Sequence, residues 1–213
     1  MDVEIWSDFA CPWCALGLAR LDAALRDFEH AREVRVVHRS YELHPGAPAR
    51  SGRTAQEAVA AKYGMSAEQV RAGHARLAEL GGEAGLVFDF DRVQLANTFD
   101  AHRLAQAARG EPYEGALVRR LFSAYFAEGR LLSDPAVLRD VAHAAGLDEH
   151  ITEKVLSGDA YAREVRADEA AATDLGVAGV PYFLLNGAWP VPGAQDVETM
   201  GVVLRRAWSR LGH

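Results

Sequence analysis

Cysteine is scarce in this sequence: Cys11 and Cys14 are the only two among 213 residues. A disulfide scaffold needs more thiols, spread along the chain, so cross-links do not build this fold. A zinc site built on a Cys-x-x-Cys pair needs two further Cys or His ligands at paired spacing. The eight histidines offer no such pair after the motif. His38 and His44 flank the end of a strand-like run and come nearest, and no metal site is expected. Long apolar runs are also missing, and none approaches the roughly 20 residues of a membrane-spanning helix. Positive charge is in deficit, with 23 Lys and Arg against 30 Asp and Glu, a formal net charge of -7. That balance argues against nucleic acid, which needs a clustered basic face. Asp2, Glu4 and Asp8 interrupt the first apolar segment, so it does not read as a secretory leader. The expected location is the cytoplasm. In that reducing compartment a lone Cys-x-x-Cys is more often redox-active than structural.

What is present alternates between two kinds of pattern. Val3 and Ile5 mark a short strand ending near Ser7 and Asp8, and the loop Phe9-Ala10 leads to Cys11. From residue 12 to about 28, Leu16, Leu18, Leu21, Ala24, Leu25 and Phe28 recur at helical spacing. Pro12 suits the first turn, where no intrahelical N–H bond is lost. Val34, Val36 and Val37 then lead through Tyr41 to Leu43, a second strand that Pro45, Gly46 and Pro48 break. Residues 53 to 175 read as helices over 54–63, 66–80, 98–108, 111–127, 134–145 and 159–175. Ser66 with Gln69, and Asp134, mark helix starts. Gly81-Gly82 and Gly146 mark stops, and 85–90 reads as a short extended piece. After Gly179 the pattern returns to strands. Tyr182 to Leu185 form one, Asn186-Gly187 signal a hairpin turn, Trp189 to Val191 return, and a helix from 197 to about 211 closes the chain. The layout is β-α-β, a block of helices, then β-β-α.

Two residues between cysteines at a helix start bring the sulfurs within bonding distance. The first sulfur meets unpaired N–H groups and the positive end of the helix dipole, which stabilise a thiolate. A thiolate is the reacting species in disulfide exchange. Cys11 is therefore expected to be the exposed attacking sulfur and Cys14, one turn inside, the buried thiol that resolves a mixed disulfide. Pro181 opens the strand after the helical block. A cis Val180–Pro181 bond there would turn the Val180 backbone towards the thiols and offer main-chain pairing to an extended substrate.

Cys11-Pro12-Trp13-Cys14 after a first strand, the long helical insertion and Val180-Pro181 before the third strand resemble the DsbA-type thioredoxin-fold family. Within it the chain looks most like the FrnE-like subgroup, on Ser40-Tyr41-Glu42-Leu43-His44-Pro45, Asn97-Thr98-Phe99-Asp100-Ala101-His102-Arg103, Gly179-Val180-Pro181-Tyr182-Phe183 and Gly193-Ala194-Gln195. The resemblance implies an α/β thioredoxin fold with a large inserted all-helical domain. Residues 1–50 plus 176–213 would form a discontinuous thioredoxin-like domain and 51–175 the insertion. It also implies Cys11 as nucleophile, Cys14 as resolving thiol and Pro181 in cis. No cofactor is expected beyond a redox-active disulfide between Cys11 and Cys14. DsbA itself is exported and carries histidine between its cysteines where this chain has Trp13, so a strongly oxidising potential is not carried over.

Further candidates surround the thiols. Phe9 and Trp13 flank the reactive sulfur and read as part of a client-binding surface, the alternative being that Trp13 packs on the insertion. Asn97, Thr98 and His102 lie at the start of an inserted helix, either as a cap with a polar face or as one wall of a substrate groove that includes Val180. The expected partners are protein or small thiol and disulfide substrates, glutathione among them. The competing reading is a glutathione-dependent transferase or isomerase. Kappa-class glutathione transferases and 2-hydroxychromene-2-carboxylate isomerases share the implied architecture, but a serine stands in them where Cys11 stands here. The complete pair favours disulfide exchange, both over that reading and over a binding module that would need neither thiol.

Overall fold

The computed structural model describes residues 1–49 and 52–211. The expected domain boundary at residues 50 and 51 lies outside the described residues. Alternation of apolar side chains makes β1 (Asp2–Ser7) a strand with two useful faces. Val3 and Ile5 are buried on one face with Phe183 and Leu185. Trp6 is buried on the other with Leu184 and Ala172. β2 (Arg35–Ser40) lies parallel to β1, and α1 (Pro12–Arg26) makes the crossover that a parallel pair requires. β3 (Tyr182–Leu185) runs antiparallel to β1, and β4 (Trp189–Pro192) antiparallel to β3. The sheet order is β2-β1-β3-β4. Asn186 at φ 52° and Gly187 at φ 65° make the hairpin turn.

Between β2 and β3 stand α2 (Ala55–Tyr63), α3 (Ala67–Glu83), α4 (Phe99–Ala107), α5 (Glu114–Phe126), α6 (Pro135–Ala145), α7 (Glu149–Ser157) and α8 (Ala162–Asp174); α9 (Val197–Trp208) follows β4 and packs on α1. One apolar core runs without a break from β1 and α1 into α4, α5 and α6. The helix starts lie where capping chemistry puts them. Thr54 with Glu57 and Ser66 with Gln69 form reciprocal capping boxes, and Asp134 accepts from the Ala136 N–H.

Three sequence expectations are corrected. Gly81-Gly82 do not stop α3, which continues to Glu83, because the bare face of Gly81 receives the Phe88 ring. A Cβ on Gly81 would come within 2.8 Å of it. Residues 85–90 are irregular and serve to carry Phe88 and Phe90 onto Phe126. The single helix expected over 159–175 begins only at Ala162, after Tyr161 at φ 65°, and a separate α7 precedes it.

Both margins of the sheet are finished in distinct ways. Outward-facing N–H groups of β2 donate to insertion carboxylates, His38 to Glu114 at 3.2 Å and Ser40 to Asp168 at 2.9 Å. On β4, Gly193 N–H donates to the Pro181 carbonyl, so by ladder alternation Pro190 and Pro192 turn their nitrogens away from β3. Asp168 on α8 also binds Arg39, Gln106 and Arg109, and its carbonyl accepts from Trp6 Nε1. That carboxylate clamps α8 and α4 to β2.

Candidate functional site

The turn from β1 into α1 positions the thiols. Cys11 is the N-cap residue of α1 in extended backbone, with Pro12 in the first turn. Its N–H donates to the Asp8 carbonyl at 3.0 Å, and its own carbonyl accepts from Cys14 N–H at 3.0 Å. No side chain caps this helix start, so its free N–H groups and the positive end of the helix dipole remain available to a Cys11 thiolate. The Val180–Pro181 bond is cis. Cys11 Sγ lies 3.6 Å from the Val180 carbonyl oxygen, to which it donates. Gly17, one turn after Cys14, permits this approach: a Cβ there would lie 3.0 Å from Pro181 Cγ and 3.3 Å from Phe183 Cζ.

Both cysteines are free thiols. The expected exposure of Cys11 is corrected, for only 5% of the residue is accessible against 1% of Cys14. The Val180 carbonyl lies against the first sulfur, and little of Cys11 is open to solvent. Burial pushes the Cys14 thiol well above its ordinary value, and the neighbouring Cys11 sulfur adds to the effect. The Asp8 N–H donates to Cys14 and opposes that rise.

The flanking candidates separate. Trp13 is 44% exposed and is the large apolar side chain presented beside Cys11. Phe9 is not a surface residue: it is buried against the His102 and Phe122 rings, at 4.8 and 5.2 Å between centroids. Asn97 opens α4 by accepting from Phe99 N–H, and its amide donates to the Ala47 carbonyl. Thr98 is buried. His102 lines no groove. It is 2% exposed and lies beneath the thiol loop, with Nε2 3.5 Å from Asp8 Oδ1.

Asp8 is the residue that sequence reading left unassigned. It is 1% exposed and accepts from the Ala10 and Leu43 N–H groups at 3.1 and 2.6 Å. Burial alone would raise its carboxyl, but pairing with His102 and these backbone donors hold it below the usual range. The available signal was a carboxylate between Trp6 and Phe9, three places before the thiol. A groove of about 870 Å³ runs along α1 between Ala15, Leu18, Phe88 and Phe122, and neither thiol lines it.

A β-α-β unit and a β-β-α unit around a Cys-x-x-Cys helix start define a thioredoxin-fold protein with a helical insertion. The chain belongs to the DsbA-like thioredoxin domain family, which it matches over residues 2–204. Among solved structures it is similar to a probable DsbA oxidoreductase from Streptomyces coelicolor, with 42% identity and a TM-score of 0.93 over 99% of this chain and 91% of that one. The fold is also that of a 2-hydroxychromene-2-carboxylate isomerase, at 21% identity and a TM-score of 0.69 over 99% and 96% of the two chains. The cytosolic disulfide reductase DsbM from Pseudomonas aeruginosa, also solved with GSH, shares it at 19% identity and a TM-score of 0.71 over 100% of both. No curated protein sequence matches the chain. The family supports a thiol-disulfide oxidoreductase or isomerase, and no helix among the described residues is long and apolar enough to cross a membrane.

Proposed function

We propose that this protein is a protein-disulfide oxidoreductase that cycles between the Cys11, Cys14 dithiol and a Cys11 to Cys14 disulfide, with no other cofactor. The observation that carries the reading is Cys11 Sγ at the uncapped start of α1, 3.6 Å from the Val180 carbonyl, with Cys14 buried behind it. The helix N-terminus stabilises the Cys11 thiolate for attack on a substrate disulfide. Cys14 then displaces the substrate from the mixed disulfide. Val180, Pro181 and Trp13 form the substrate contact. The substrates are protein or small thiols and disulfides, glutathione among them, in a reducing, cytoplasmic setting. Within the family we place the chain in the FrnE-like subgroup. Residues 1–50 and 176–213 carry the thiol chemistry, and the insertion over 51–175 closes the site from below.

Two variants test the reading with a disulfide-bonded peptide and glutathione as substrates. Cys11→Ser reduces exchange to background. Cys14→Ser accumulates a mixed disulfide at Cys11, read by mass spectrometry. Wild-type exchange in folded Cys11→Ser removes the proposal. Loss of exchange with retained glutathione-dependent isomerisation in that variant points instead to the isomerase-type activity.

A further inference from the structure

We propose that the groove along α1 is an interface for a second copy of this chain. Two protomers related by a two-fold axis each place Val87 in the other's groove and pair Arg26 with the partner copy's Glu83. The inference goes beyond the exchange reading and does not rest on it.

The groove, about 870 Å³ in volume, is walled by α1, α5, the last turn of α3, residues 85–88 and the start of α9. Leu18, Phe122 and Phe126, all buried residues, supply apolar wall. Exposure alternates along the neighbouring stretch. Leu86 and Phe88 are half-buried, and Val87 between them is left 67% exposed. Val197, in the first turn of α9 and 39% exposed, lines the same groove. A single exposed valine is ordinary. Two of them on one apolar groove extend it into a patch of the kind that marks an association site.

Charge selects the occupant. Six charged residues line the groove: Arg20, Asp22, Arg26, Glu83, Arg119 and Asp196. Four are committed. Arg119 binds both carboxylate oxygens of Asp22, at 2.8 and 2.7 Å, and Arg20 donates to the Ala194 carbonyl. Asp196 caps α9 by accepting from Thr199. Arg26 and Glu83 remain, both exposed and without a hydrogen-bond or ion-pair partner among the described residues. An anionic ligand would meet Glu83 and a cationic one Arg26. One free charge of each sign beside an apolar recess is instead complementary to a copy of itself. In a two-fold contact residue i of one protomer meets residue j of the other, and j meets i. Both charges are then paired twice, and each exposed valine leaves water for an apolar wall. Neither thiol lines the groove, so the contact leaves both exchange sites free.

Analytical ultracentrifugation of the full chain, from about 1 to about 200 µM, reads the association. The wild type is expected to pass from monomer to dimer mass over this range and to dissociate more readily with added salt, which screens exposed ion pairs. Val87→Asp, Arg26→Glu and Glu83→Arg change exposed side chains, so each variant is expected to keep the wild-type unfolding midpoint. Each raises the dimer dissociation constant by about ten-fold or more, because a charge enters the apolar recess or two attractive pairs become repulsive. Arg26→Glu combined with Glu83→Arg restores the pairing with signs exchanged and returns the constant to within about three-fold of wild type. A wild type that stays monomeric at the highest concentration overturns the proposal. Native mass spectrometry of that monomer, showing a small apolar molecule retained, would assign the groove to a ligand in its place. A dimer that the three single variants leave intact, or a double variant no tighter than the singles, also overturns it, since the contact then lies elsewhere. None of these readouts depends on exchange activity, so an inactive protein bears only on the exchange reading.

Discussion

At the scale of single residues, the site depends on what Gly17 leaves out. Its missing Cβ lets α1 seat against Pro181, Phe183 and Ala194, and these contacts fix the distance from Cys11 to Val180. Gly17→Val would overpack that contact, and we expect a loss of about 1–3 kcal/mol in urea unfolding together with slower exchange. Gly17→Ala, meeting Pro181 Cγ at 3.0 Å, belongs at the low end of that range. Unchanged stability in Gly17→Val would show that α1 is not held this closely. The thiols and Pro181 were legible in the sequence because their signals are local: a fixed spacing, a proline in the first turn and a proline at a strand start. Asp8 was not, because its burial is made by Leu43 and His102, far along the chain. Phe9 was misplaced for the same reason, since the rings that cover it come from α4 and α5.

At the scale of elements, the helix starts were readable and the docking of the helices was not. Thr54, Ser66 and Asp134 satisfy backbone donors within a few residues of themselves, so their sequence neighbours sufficed. α7 was missed although Asp148 caps its start and Gly158 follows its end, and the start of α8 was set early because Tyr161 takes left-handed backbone, which a tyrosine does not announce. Docking of α4 and α8 rests on Asp168, 3% exposed and bound to Arg39, Arg109, Gln106 and the Ser40 N–H. Removing one partner of a buried ionic cluster strands the others, at a cost of about 3–5 kcal/mol. Arg39 and Arg109 are 31% and 26% exposed, so water recovers part of it. Asp168→Ala is therefore expected near the lower bound, about 3 kcal/mol, with amide exchange accelerating first in α8. A loss under about 0.5 kcal/mol, the size of an ordinary surface change, would show that apolar packing holds α8 without the clamp.

At the scale of the whole molecule, stability is tied to pH through His38. Burial, reinforced by Arg119 and Arg109, lowers its folded value from 6.5 to about 3. A depressed folded value means that the unfolded chain binds a proton the folded one refuses. The stabilisation is complete above about pH 6.5 and drains away as pH falls toward 3. His44 and His74, also lowered chiefly by burial, act with the same sign. His38→Gln is expected to flatten the decline in unfolding free energy between pH 6.5 and 4.5, and an unchanged slope would remove His38 as its main source. The order of strands, and of the helices apart from α7, was legible in the sequence, since each switch of hydrophobic period is written locally. How the sheet terminates was not, and it has a consequence for recognition. A fifth strand arriving at β4 would find proline nitrogens where it needs donors. One arriving at β2 would have to displace Glu114 and Asp168. Growth by annexing another chain's strand, the usual route from an open sheet to polymers, is closed on both flanks. Under the exchange reading, an extended client is left with the Val180 loop as its place to dock, so what this protein binds and what it oxidises or reduces are decided at one spot.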